Sequence, residues 1–104
     1  MRRGEVWWAD LPSPAGRRPV VLLSRNEAYA ARELVAIAPV TTRARRIPTE
    51  IALDESDGLP KTCVANLDTI TTINKRFLQQ RISTLHPGKI DALNRALRFA
   101  LGLA

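Results

Sequence analysis

Apolar residues in this chain fall into short blocks divided by turn-forming residues, and only near the end does their spacing lengthen to that of a helix. Glu5 to Leu11 (Glu-Val-Trp-Trp-Ala-Asp-Leu) is rich in bulky β-forming side chains, and Pro12-Ser-Pro-Ala-Gly16 breaks it, which predicts a strand followed by a loop. Pro19 to Ser24 and Leu34 to Val40 are near-continuous apolar runs and predict buried strands. Between them, alanine-rich Asn26 to Arg32 predicts a short helix capped by Asn26. Pro48 to Leu53 alternates, with Thr49, Ile51 and Leu53 set against Glu50 and Ala52, as a strand with one wet face does. Asp54-Glu-Ser-Asp-Gly58 predicts a turn, Thr62 to Leu67 and Asp68 to Ile73 two more short strands, and Gln80 to Thr84 a weaker one after the basic Lys75-Arg76 turn. Ile90, Leu93, Leu97 and Leu101 recur every three or four places, which puts one apolar stripe on a helix from about Pro87. Pro87 suits the first helical position, Arg95 and Arg98 suit the negative end of the helix dipole, and Gly102 suits the stop. The expected class is α+β, a small barrel or strongly twisted antiparallel sheet with a C-terminal helix.

The chain has 104 residues, a length that predicts one domain over 1–104. With 45% hydrophobic residues it can bury a modest core, so disorder and fibrous repeats are excluded. The longest apolar run, Leu34 to Val40, is far below the roughly 20 residues that span a bilayer. Arg2 and Arg3 are followed by Gly4, Glu5 and Asp10 rather than by the apolar stretch of an export signal. Cys63 is the lone cysteine and His86 the lone histidine, so neither an internal disulfide nor a Cys/His zinc cluster is available. A reducing, cytoplasmic setting with no membrane association is expected. Charge changes the picture further: 16 basic residues against 10 acidic ones give +6, which favours a polyanionic partner. Residues 1–46 hold nine arginines and four acids (9 − 4 = +5), and residues 47–104 hold seven bases and six acids (7 − 6 = +1). Every base in the first part is arginine, whose planar fork suits phosphate better than a merely solubilising lysine does.

Candidate chemistry sits in Gly16-Arg17-Arg18-Pro19 and Pro39-Val40-Thr41-Thr42-Arg43, each at the edge of an apolar strand. If the two strands are antiparallel neighbours, Arg18 and Thr41 come together and a guanidinium meets a hydroxyl. That pair suits a phosphodiester, since arginine donates twice to non-bridging oxygens and threonine adds a third bond. The same residues equally fit a surface charge and a turn-capping hydroxyl. Arg43, Arg45 and Arg46 form a basic loop that would track phosphates or simply be solvated. Trp7 and Trp8 point to opposite sides of a strand and read as core or dimer contacts ahead of base stacking. His86 precedes the helix, Cys63 reads as a small buried hydrophobe, and Asp54, Glu55 and Asp57 read as a solvated turn, because Ala65 stands where a calcium loop needs its twelfth-position carboxylate.

Five segments in order, Arg3-Gly4-Glu5-Val6-Trp7-Trp8-Ala9-Asp10-Leu11, Arg18-Pro19-Val20-Val21-Leu22, Ala38-Pro39-Val40-Thr41-Thr42, Ile47-Pro48-Thr49-Glu50 and Ala100-Leu101-Gly102-Leu103, resemble the MazF/PemK family of toxin endoribonucleases across nearly the whole chain. The resemblance implies an SH3-like barrel, a homodimer, a cognate antitoxin, and cleavage of single-stranded RNA at short preferred sequences without a metal or other cofactor. It matches Arg18 and Thr41 to the family's catalytic arginine and threonine, and implies an RNA-binding role for Arg17, Thr42, Arg43, Arg45, Arg46 and Asp68. Asp68 equally fits a structural turn carboxylate. The chain departs from the family pattern in its short loop, Pro12 to Arg17, and in Asn66, where some relatives carry an arginine. Two other readings stand beside this one: a non-catalytic toxin of the same fold that binds DNA gyrase, and an SH3-like RNA-binding module.

Overall fold

In the computed structural model, residues 1–103 are described, so the last residue of the domain expected over 1–104 lies outside them. Strand β1 (Glu5–Leu11) turns through Pro12–Ala15 into β2 (Gly16–Leu22), and the two pair antiparallel from Val6↔Val21 to Leu11↔Gly16. Strand β3 (Leu34–Thr41) follows a single helical turn, α1 (Ala28–Ala31). It pairs with β2 at Leu22↔Ile37, Val21↔Ala38 and Val20↔Pro39. β4 (Glu50–Leu53), β5 (Cys63–Asn66), β6 (Thr71–Asn74) and β7 (Leu78–Thr84) complete the sheet. The order is β4-β5-β3-β2-β1-β7, with β6 also on β3, and every pair is antiparallel. This is the curled antiparallel sheet expected, closed by α2 (Pro87–Leu101).

β3 serves two partners on one side, β6 along Leu34–Ile37 and β5 at Val40 and Thr41. Its neighbours and those of β2 bury both faces, which is why their sequences run apolar instead of alternating. Val21, Ala38 and Val40 join one core cluster with Leu93 and Ala96 of α2. Val20, Leu22, Val35 and Ile37 join a second with Tyr29, Ile73 and Leu78. α2 begins as expected at Pro87, and His86 Nδ1 accepts from the backbone N–H groups of Gly88 and Lys89 at 3.1 and 3.4 Å, satisfying donors a helix start leaves free. It ends at Gly102, whose φ of 69° is the left-handed conformation glycine adopts without strain.

Four expectations need correction. Asn26 does not cap α1: the N-cap is Glu27 with no side-chain bond, and Asn26 Oδ1 instead accepts from Arg3 N–H at 2.7 Å. Residues 67–69 form a 3₁₀ turn rather than the end of one strand and the start of the next, because Asn66 Oδ1 captures the Asp68 N–H. The last strand starts at Leu78, before the expected Gln80, and runs along β1 with irregularities between Val6 and Trp7 and between Trp8 and Ala9; these break the two-residue period that would have marked it. Asp57 is buried rather than solvated, 3.6 Å from the Lys89 ammonium and accepting from Asp54 N–H at 3.0 Å.

Candidate active site

The β2–β3 register, continued two places toward the β1–β2 turn, sets Arg18 opposite Thr41. Both line one cavity of about 200 Å³ together with Pro39, Arg43, Arg45, Asn66 and Thr69. The half-buried Arg18 is held by its backbone surroundings: Nε and Nη2 both donate to Ala15 O, at 3.2 and 3.1 Å. Ala15 ends the Pro12–Ala15 turn, closed by Ala15 N–H donating to Pro12 O at 3.2 Å, and Gly16 beyond it takes a φ of 68°, which favours glycine. With one edge of the guanidinium spent on the turn, Nη1 remains to meet a ligand. Thr41 Oγ1 accepts from Arg43 N–H at 3.2 Å, which leaves its O–H free to donate.

The basic loop has its own scaffold. Glu50 Oε1 accepts from the backbone N–H groups of both Arg45 and Arg46 at 2.9 Å, and Arg46 sits at φ 58°, in the left-handed region that a non-glycine residue adopts only when its surroundings impose it. Arg43 and Arg45 therefore border the cavity, while Arg46, although in the same loop, does not line it. Asp68 lies beside the site: Oδ2 accepts from the hydroxyl of buried Thr49 at 2.7 Å, and its N–H caps onto Asn66.

Thr41 also lines a second, narrower slot of about 130 Å³, whose walls are Trp8, Pro19, Val40, Thr42, Leu59, Pro60, Lys61 and Cys63. Arg17 stacks over the Trp8 ring at 4.6 Å. The tryptophans thus divide as their adjacency requires. Trp7 packs on the second core cluster and donates Nε1–H to Glu5 at 3.0 Å, whereas Trp8 is half-buried at an opening beside Thr41. Burial pushes the Cys63 thiol up, reinforced by the Asp57 and Asp54 carboxylates, so this side chain is no thiolate nucleophile.

Arg18, Thr41, Arg43 and Arg45 are brought together, while Arg17, Thr42, Arg46 and Asp68 flank them. Asn66 and Thr69 belong to the cavity wall although no ligand role was expected of either; the signal for Asn66 was the arginine some relatives carry there, and Thr69, in the turn after β5, had none. Not every early arginine faces the site: Arg3 bonds Leu23 O and Asn94 Oδ1 at 3.1 and 2.8 Å and ties the N-terminus to α2. A larger cleft of about 920 Å³ opens at the other end of β3, beside Tyr29, Asn74 and Lys75. Its lysine is already committed to Tyr29 O at 2.8 Å, and it holds no arginine–hydroxyl pair opposed across strands. Among the described residues, no three His, Cys, Asp or Glu side chains are grouped to hold a metal ion, and no helix is long and apolar enough to cross a membrane.

A family model described as PemK-like, MazF-like toxin of type II toxin-antitoxin systems matches residues 2–101. A probable endoribonuclease MazF5 of Mycobacterium tuberculosis is 36% identical over 100 residues, 95% of this chain and 91% of its own length. Among solved structures, the M. tuberculosis toxin MazF-mt6 superposes with a TM-score of 0.89 at 30% identity, covering 96% of this chain and 98% of that one. A mycobacterial endoribonuclease in complex with its cognate antitoxin gives 0.89 at 34% identity, covering 100% and 97%.

Proposed function

This chain belongs to the PemK-like, MazF-like toxins of type II toxin-antitoxin systems, and from that premise we propose that it is an endoribonuclease whose scissile phosphate lies between Arg18 and Thr41. The observation that carries the reading is the cavity in which Arg18 Nη1 and the Thr41 hydroxyl remain uncommitted beside Arg43 and Arg45. In RNA the 2′-hydroxyl next to each phosphate is a built-in nucleophile at high effective concentration. Its oxygen attacks phosphorus as the bond to the 5′-oxygen breaks, so one strand ends in a 2′,3′-cyclic phosphate and the other begins with a 5′-hydroxyl. The 2′ proton is lost and the departing oxygen gains one.

What the protein must supply is compensation for charge gathering on the non-bridging oxygens. Arg18 acts as a clamp, since a guanidinium with a pKa above about 12 makes a poor general base at neutral pH, and Thr41 adds a directional donor. A wall of three guanidiniums without a carboxylate repels divalent cations, so the reaction proceeds without metal. Arg17, Thr42, Arg43, Arg45 and Arg46 guide the flanking strand, and Asp68 accepts from a base at the rim. The natural inhibitor is an antitoxin with an acidic segment that crosses the same arginines and blocks RNA sterically. A homodimer acting in the cytoplasm is part of the proposal; Phe99, Leu101 and Leu103, exposed at the end of α2, are apolar surface of the kind a second copy covers.

Metal-free protein with a chelator and a long single-stranded RNA should give discrete fragments with cyclic phosphate ends. A single 2′-deoxy substitution at the cleaved position should stop the reaction there. RNA left intact would refute the proposal and favour a binding-only toxin.

A further inference from the structure

We infer that Asn66 is a substrate-binding residue, its side-chain amide giving a neutral hydrogen bond to the phosphate that Arg18 and Thr41 hold; the inference rests on the RNA-cleaving reading above. Asn66 ends β5 and caps the 67–69 turn. Its Oδ1 accepts from Asp68 N–H at 2.9 Å, which settles which way the planar amide faces. The oxygen lobe is committed to the turn, and Nδ2 occupies the opposite lobe.

The half-buried side chain lines the cavity beside Arg18, Thr41 and Arg43. Among the described residues, no protein acceptor takes a hydrogen from Nδ2. Glu50, directly across the β4–β5 ladder, has turned its carboxylate to the Arg45 and Arg46 amides and does not compete. With the oxygen lobe turned to the Asp68 N–H, the free lobe, Nδ2, is a pure donor, and the donors left free beside it are Arg18 Nη1, the Arg43 and Arg45 guanidiniums and the Thr41 hydroxyl. The ligand chemistry that accepts from all of them at once is an anionic phosphoryl oxygen. Unlike an arginine, the amide adds direction without charge and has no proton to give to the leaving oxygen.

Two variants test this. Asn66→Asp keeps an oxygen to cap Asp68 N–H but sets an anion where Nδ2 stood. Asn66→Ser keeps a shorter capping oxygen and takes Nδ2 out of the opposite lobe without adding charge, its one hydroxyl hydrogen sitting on the capping oxygen itself. Loss of one hydrogen bond to a charged group predicts a roughly tenfold to hundredfold fall in kcat/KM for Asn66→Ser, and a larger one for Asn66→Asp, with melting temperatures within about 2 °C of the parent. RNA carrying a single Rp or Sp phosphorothioate at the cleaved linkage supplies a readout that a structural role would not move. One diastereomer should slow the parent protein and slow Asn66→Ser distinctly less. Both variants cutting at the parental rate, or a thio effect unchanged in Asn66→Ser, would overturn the assignment while leaving the Arg18–Thr41 site standing. If the parent itself leaves RNA intact, the reading and the inference fall together.

Discussion

At the scale of single residues, the decisive feature is that Arg18 is fastened by one edge and offers another. Two of its donors converge on Ala15 O, a geometry the planar fork permits and an ammonium does not. Arg18→Ala is expected to lose about 100- to 1000-fold in kcat, the range for removing one donor to a developing oxyanion, with the melting temperature nearly unchanged. Arg18→Lys should recover little of that loss although it restores the charge; a lysine variant cutting RNA at the parental rate would show that charge alone suffices. Cys63 makes a complementary case. Because burial and two neighbouring carboxylates raise its pKa, an aromatic disulfide reagent at neutral pH should label it only when the protein unfolds, and rapid labelling of the native protein would contradict the placement. The pairing of Arg18 with Thr41 was legible only on a condition: Arg18 opens one apolar run and Thr41 closes the next, so they meet if the runs are antiparallel neighbours, and neither run says which strand it pairs with. Asn66 and Thr69 were not legible, because they enter from β5 and the turn after it, and no local pattern announces that β5 meets β3 only at Val40 and Thr41.

Elements translate those positions into a site. β1, β3 and α2 were readable from composition and spacing, since each buries one consistent pattern. β7 was only half readable because its pairing with β1 shifts register twice, and residues 67–69 were misread because one asparagine side chain outcompetes strand geometry. The loop from Arg43 to Ile47 carries no periodic signal at all; Thr41 Oγ1 and Thr42 O hold its first amides and the Glu50 carboxylate the Arg45 and Arg46 amides. Removing that carboxylate in Glu50→Ala frees the Arg45 and Arg46 amides. The expected outcome is faster hydrogen exchange at those two amides and a several-fold rise in KM for RNA with a smaller change in kcat. Unchanged exchange would mean that the loop is held by something other than Glu50.

For the molecule as a whole, Glu5 joins the sheet's first strand to its last. Buried among Trp7 Nε1–H, Arg2 N–H and the Arg81 guanidinium 3.3 Å away, its carboxyl feels burial pushing its pKa up, yet the bonds outweigh it and hold the value below the usual 4.5. A carboxyl depressed in the folded state stabilises the fold above its unfolded pKa and withdraws that support as pH falls through the folded value. Melting temperature should therefore drop as pH is lowered below about 4.5, and Glu5→Gln should flatten that part of the curve; an equally steep acid limb in the variant would assign it to other carboxylates. The Arg18 and Thr41 positions, in contrast, are set by the β2–β3 ladder extended past Val20↔Pro39, by the Thr41↔Val64 pair and by the tie from Arg18 to Ala15 O, while the neighbouring segment 43–47 stands outside every strand. Evolution can consequently rewrite the 43–47 segment more freely than the 12–15 turn, whose last carbonyl anchors the Arg18 guanidinium.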